Sequence, residues 1–156
     1  MPERQLPTTE NSYREDHAIL LYNSFYQLTG KKLIDCPLDQ LGERLFFAPF
    51  AVVSHDTSAD PIFNYANQTA LDLFEMTWQK FTALPSRLSA EQPLREERER
   101  LLNAVTESGF IDDYTGIRVS RTGKRFYIEN AYVWNLEQQN NRYGQAAMFT
   151  TWRPVE

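Results

Sequence analysis

The sequence predicts a single α+β domain built on an antiparallel sheet. Three observations carry that expectation. Apolar residues recur at helical spacing within the first 47 positions. At Pro49 the pattern changes to short β-prone runs separated by turn formers. From Asp112 onward, three longer β-prone runs follow one another with only a tight turn and a polar loop between them. Helices first and a meander last is the order of an α+β chain, not of alternating βα units. The 156 residues suit one domain, and a chain of that size buries about two-thirds of its unfolded surface without disulfide or metal support.

Residues 1–11 are polar, carry two prolines and read as a flexible tail. Ser12-Tyr13-Arg14-Glu15 matches a capping box, in which Ser12 and Glu15 satisfy free backbone donors at a helix start. Ala18, Leu21, Tyr22, Phe25 and Leu28 follow at helical spacing, and Gly30 suits a left-handed C-terminal cap, so a first helix is expected over 12–29. A shorter helix at 37–47 is opened by Pro37 and places Leu38, Leu41 and Leu45 on one face, while Gly42 counts against it. Residues 12–47 are thus an N-terminal helical extension, and the core is expected over 48–153.

Within the core, Phe50 to His55 and Ile62 to Ala66 are β-prone runs around the turn cluster Asp56 to Pro61, which reads as a hairpin. Asn67 is a good N-cap for a short helix carrying Ala70, Leu71 and Phe74. Residues 77–90 read as broken helix and loop around Pro85. A surface helix follows between Pro93 and Gly109, with Glu91/Arg95 and Glu96/Arg100 at i,i+4 and Leu101, Leu102 and Val105 on its apolar side. The mixed signs of Arg95 to Arg100 mark a solvated face. The meander comprises Tyr114–Ser120, a turn at 121–124, Arg125–Leu136, a polar loop at 137–142 and Tyr143–Trp152, with Pro154 ending it. A hairpin, a helical excursion and a three-strand meander make the layout of PAS domains: five antiparallel strands in spatial order 2-1-5-4-3 with helices on one face.

Composition excludes several function classes. A net charge of -5 argues against a broad phosphate-binding surface, so no nucleic-acid partner is expected. The one cysteine, Cys36, rules out an internal disulfide and any multi-cysteine metal site. No apolar run approaches the roughly 20 residues of a membrane span, and residues 1–17 lack a signal-peptide core, so a cytoplasmic, membrane-free protein is expected. Ten Phe, eight Tyr and three Trp are many for this length and point to a bulky core or one with a cavity.

Several segments carry a resemblance to a known family: Ala48 to His55 (APFAVVSH), Asp60 to Asn67 (DPIFNYAN), Ala70 to Glu75 (ALDLFE), Leu84 to Arg87 (LPSR), Gly123 to Leu136 (GKRFYIENAYVWNL) and Gly144 to Phe149 (GQAAMF). Together they resemble the MEKHLA domain, a PAS-related family, over residues 18–153. The family occurs as small stand-alone bacterial proteins and as the C-terminal domain of plant homeodomain–leucine-zipper regulators. The resemblance implies a sensing or binding role, with no catalytic residues to carry over. DNA-binding and zipper segments have no counterpart here, so transcriptional function is not implied.

Cofactor chemistry is weighed on the same residues. Covalent flavin photochemistry needs a cysteine in the helical excursion, and residues 67–108 contain none. Histidine-ligated haem of the oxygen-sensing type needs a histidine on the long helix, and residues 93–109 contain none. Neither cofactor is expected, and cofactor identity stays unknown. His55, at a strand end, is an acid–base candidate with Asp60 or Asp112. Ser54 and His55 do not form a triad, because neighbours in a strand point to opposite faces. His17 is expected to be exposed.

A ligand pocket is the remaining idea. Phe126, Ile128, Asn130, Tyr132, Trp134 and Leu136 share one parity on the second meander strand and are turned inward, unless a bulge reverses part of the set. Ile117 and Val119 extend that wall, and Phe63, Tyr65, Leu71, Phe74, Leu102 and Val105 close the helical side. Gln145, Ala147 and Phe149 share a parity on the last strand. Asn130 and Gln145 are the polar contacts of a mostly apolar site that takes a small apolar or aromatic ligand. The alternative is a solid aromatic core. On helix one, Ile19, Leu20, Tyr22, Phe25 and Tyr26 form a wide apolar stripe that either docks on its own sheet or pairs with a second copy as a homodimer. The leading reading is a non-enzymatic sensory or ligand-binding module that signals to a protein partner by surface contact. The alternatives are a small isomerase or dehydratase of NTF2-like type and a pure interaction adaptor.

Overall fold

The computed structural model describes residues 5–93 and 95–155. Residues 1–4 of the expected tail lie outside them. Thr9–Asn11 form a 3-10 turn, and the first helix, α1, spans Glu15–Thr29. The capping box expected at Ser12 does not form. Ser12, Tyr13 and Arg14 all adopt left-handed backbone, with φ of 52°, 54° and 56°. Asn11 Oδ1 instead accepts from Thr8 N and Arg14 N, both at 3.0 Å. Helix α2 is Leu41–Phe46. Gly42 belongs there because a Cβ at that position would lie 2.2 Å from the Ser12 carbonyl oxygen. The glycine that weakens helix propensity thus lets the chain before α1 lie against α2.

The sheet runs β1 (Ala51–His55), β2 (Phe63–Ala66), β3 (Phe110–Val119), β4 (Arg125–Gln138), β5 (Asn141–Phe149) and β6 (Thr151–Pro154). Its order is β2-β1-β5-β4-β3, all antiparallel, and β6 pairs with β4 beyond the end of β5. The expected last strand is therefore two, broken at Thr150. Between β2 and β3 lie α3 (Gln68–Phe74), α4 (Trp78–Phe81) and α5 (Arg95–Glu107). Glu91 precedes α5 and pairs with Arg125, not Arg95, while Arg100 pairs with Glu97 and Asp113, not Glu96.

Asn67 ties the helical extension to the core. Its side chain is fully buried and uses both donors and both acceptor positions. Oδ1 accepts from Val52 N and Ala70 N, both at 3.1 Å, and Nδ2 donates to Leu45 O at 3.1 Å and Phe50 O at 2.7 Å. One residue caps α3, fixes the start of β1 and holds the end of α2.

Both faces of the sheet are covered. On the outer face α1 buries Ala18, Leu21, Ser24 and Phe25. The Phe25 ring meets Trp134 and Tyr132 edge-on, with centroids 4.9 and 5.0 Å apart. Ser24 Oγ donates to Glu137 O at 3.0 Å. Helix one thus docks on its own sheet. Phe25 is buried within the chain and Leu20 and Tyr22 are half-buried, leaving Ile19 and Tyr26 as the exposed members of the stripe.

A bulge decides which side chains reach each face. Asn130, at φ 52°, sits between the pairs Tyr114↔Ala131 and Gly116↔Ile128, so β4 carries one residue more than β3 across that interval. Phe126 and Ile128 face the helices before it, and Ala131, Val133 and Asn135 do so after it. Asn135 Nδ2 donates to Val105 O on α5 at 3.0 Å. Tyr132, Trp134 and Leu136 consequently belong to the outer face. The uniform inward parity expected for these three is corrected, and Asn130 itself is exposed.

Candidate ligand cavity

A cavity of about 510 Å³ lies between the inner face of the sheet and α5. Its floor comes from strands: Val53 and His55 on β1, Phe63 on β2, Val133 on β4, and Gln145, Ala147 and Phe149 on β5. The register pairs Val53 with Ala147 and Ala147 with Val133, so these three form one row across the sheet. Phe74 from α3, and Leu101, Leu102 and Arg98 from α5, close the other side. Tyr114 and Arg118 on β3 form the far wall, with Ala90 and Glu91 beside them.

Of the residues expected to line a pocket, Phe63, Phe74, Leu102, Gln145, Ala147 and Phe149 do so. Val105, Phe126 and Ile128 are buried core on the same side, Phe126 lying edge-on to Phe74 at 5.4 Å. Leu71 borders a separate surface depression with Asp72 and Glu75. Tyr65, Tyr132 and Trp134 lie on the outer face, and Ile117 and Val119, paired with Tyr127 and Arg125, share that side. Asn130 is exposed and offers the cavity nothing. What sequence reasoning missed is Arg118, Tyr114, Val53, Val133 and Leu101. The bulge turns Val133 inward, and Arg118 shares the inward face of its register partner Phe126.

His55 reaches the cavity with one side of its ring already engaged. Nδ1–H donates to the Asp56 carbonyl at 2.9 Å, and Nε2 has no hydrogen-bond partner among the described residues. Burial pushes the His55 pKa below the ordinary imidazole value, and Arg142 and Arg118 act in the same direction, against the Asp56 carbonyl and carboxylate. Asp60 and Asp112 do not pair with it: both are exposed, and Asp60 holds Arg87 at 3.0 Å. The acid–base pair considered from sequence is not assembled. Asp56 serves the turn, its Oδ1 accepting from Ser58 N at 3.1 Å and Ile62 N at 3.0 Å.

Ser54, next in sequence, faces the other way. Its Oγ donates to Asn64 Oδ1 at 2.5 Å, so its oxygen accepts from His17 Nε2–H of α1 at 2.9 Å. The His17 ring also stacks on Tyr65, with centroids 5.3 Å apart. His17 is therefore half-buried at the α1–sheet joint and not exposed as expected.

Comparison with known proteins follows this geometry. The MEKHLA domain family model matches residues 15–154. The chain belongs to the MEKHLA domain family. The homeobox-leucine zipper protein ATHB-14 of Arabidopsis thaliana is 29% identical over 97 residues, which is 62% of this chain and 11% of the plant protein. The PAS domain of a protein from Colwellia psychrerythraea superposes with a TM-score of 0.58 at 15% identity, over 76% of this chain and 96% of that one. The LOV domain of a blue-light activated histidine kinase from Erythrobacter litoralis gives a TM-score of 0.52 at 19% identity, over 64% and 94%. These likenesses establish a PAS fold, with the sheet order expected from sequence, and leave the NTF2-like architecture without support.

Among the described residues that line the cavity there is no cysteine, so the adduct chemistry of flavin PAS domains has no thiol there. Cys36 lies in a separate surface depression with Ile34, Gln40 and Arg44. Among the described residues, no helix is long and apolar enough to cross a membrane, and no cluster of three or more His, Cys, Asp or Glu could hold a metal.

Proposed function

We propose that this MEKHLA domain is a non-enzymatic sensory module that binds a small ligand in the cavity under α5 and passes the event to a protein partner by surface contact. The observation that carries the reading is the cavity itself. A volume of about 510 Å³ with Val53, Phe63, Phe74, Val133 and Phe149 on its walls and a few placed polar groups is ligand-sized. A ligand that favours one arrangement of β1 shifts the population toward it. Because Ser54 and His55 are adjacent, such a shift reaches the His17 contact and hence α1, whose exposed Ile19 and Tyr26 face away from the sheet. A cytoplasmic setting completes the proposal.

The test is a thermal-shift screen of small organic compounds against the wild-type chain and the Ala147→Phe variant, in which the added ring occupies the space before Val53 and Val133. Compounds that raise the melting temperature of the wild type and leave the variant unmoved support the reading. Compounds acting equally on both, or none acting at all, contradict it.

A further inference from the structure

We propose that the ligand is an organic anion, a carboxylate on an apolar or aromatic body, anchored by Arg118. The inference rests on the cavity being a ligand site and adds the chemistry of its occupant. Arg118 enters on β3 at the register of Phe126, on the helical side of the sheet. The other charges along the cavity are largely matched. Arg87 is held by Asp60 at 3.0 Å, and Glu91 is taken by Arg125. Among the described residues, Arg118 has neither a carboxylate partner nor a side-chain hydrogen bond, and Arg98 on the rim has none either. A chain with a net charge of -5 thus carries uncompensated positive charge inside its cavity.

Arg118 stands half-buried at this wall, beside Tyr114. Burial lowers its pKa, opposed only by Tyr114. A Cβ at Gly116 would lie 2.9 Å from the Tyr114 hydroxyl oxygen, so the phenol lies over the glycine in the direction of Arg118. The guanidinium fork, the Tyr114 hydroxyl and the ring edge of His55 are polar groups of the cavity, Gln145 is tied to Asn135 at 3.3 Å and Glu91 to Arg125, and Val53, Phe63, Phe74, Val133 and Phe149 supply apolar wall. A planar fork of N–H donors matches a carboxylate in bidentate geometry. A desolvated cation without a counterion weakens the empty domain, and an anion from solution restores the balance.

The probes are 3-phenylpropionate, its neutral amide 3-phenylpropionamide, and inorganic phosphate, titrated by calorimetry to millimolar concentration against the wild-type chain, Arg118→Gln and Arg118→Lys. The acid is expected to bind the wild type about 10- to 100-fold more tightly than the amide, and to lose that margin in Arg118→Gln. Arg118→Lys, which keeps charge and loses the fork, is expected to fall between. Equal binding of acid and amide, unchanged in Arg118→Gln, overturns the anion and leaves the cavity standing as a neutral site. Binding of phosphate as tight as the acid overturns the apolar body. Absence of binding by all three overturns the inference, and the Ala147→Phe screen then shows separately whether the cavity binds anything. A second readout does not depend on a probe: Arg118→Met is expected to raise the melting temperature of the ligand-free domain, and a fall would show that Arg118 is structural.

Discussion

Ser54 and His55 are neighbours on β1 and face opposite sides of the sheet. Ser54 Oγ receives the His17 Nε2–H of α1 at 2.9 Å, while His55 lines the cavity. One central strand therefore touches the ligand site on one face and the N-terminal helix on the other.

The pKa of His55 makes the domain's stability pH-dependent. Its folded pKa lies below the ordinary 6.5, so between those two values the unfolded chain binds more protons. Stability is full above about pH 6.5 and falls as the pH drops toward the folded pKa. His55→Asn keeps a donor for the Asp56 carbonyl and cannot titrate. Urea unfolding followed from pH 7.5 to 5.5 is expected to show a shallower loss in the variant. Identical slopes in both proteins would mean that His55 does not carry the effect.

Asn67→Ala removes four hydrogen bonds and leaves buried partners on three elements. The expected cost is about 3 kcal/mol or more, well above that of a lost helix cap alone. Chemical denaturation measures it directly. A loss near 1 kcal/mol would reduce Asn67 to an ordinary cap.

Gly144 lies at φ 148°, and a Cβ there would stand 2.0 Å from the His55 carbonyl oxygen. Gly144→Ala is expected to push β1 and β5 apart beside the cavity, at about 1–3 kcal/mol. Amide hydrogen exchange is expected to rise at His55 and Gln145 first. A uniform increase across the sheet would point to global destabilisation without local strain.

Tyr65 Oη and Trp134 Nε1 are buried on the outer face without hydrogen-bond partners among the described residues. Removing an unpaired buried hydroxyl takes away a desolvation penalty. Tyr65→Phe is therefore expected to be neutral or stabilising in thermal unfolding, with the stack on His17 kept. A loss of about 1 kcal/mol or more would show that the hydroxyl is satisfied in solution, as by a buried water.

The fold was legible in the sequence because its cues are local. Asn67 as a cap, the Asp56 turn and the β-prone runs each act over a few residues, and their order specifies the sheet. The cavity was only half legible. Phe74, Ala147 and Phe149 lie on elements whose parity is unbroken up to the cavity, while the register shift between Tyr65 and Phe63 sends Phe63 to the cavity and Tyr65 to the outer face. Trp134 and Tyr132 were placed on the wrong face because a single left-handed Asn130 reverses the parity of β4, whereas Ile117 and Val119 pair with Tyr127 and Arg125 ahead of that bulge and were misplaced by hydrophobicity alone. Asparagine tolerates that backbone, but nothing within a strand-like run announces that it is used. Arg118 lies opposite Phe126, ahead of the bulge, and was passed over because a charged residue in a strand reads as solvent-facing. His17 could not be read because its partners, Ser54 and Tyr65, become neighbours only when α1 crosses the sheet.

The central claim is that the cavity under α5 receives a carboxylate on an apolar body. Methyl-labelled NMR of the full chain with 3-phenylpropionate tests it most directly. The account predicts chemical-shift changes centred on the methyls of Val53, Val133, Ala147 and Leu101, with smaller changes at Ala18 and Leu21 of α1. Shifts centred on Ile34 beside Cys36, or none at saturating concentration, would contradict it.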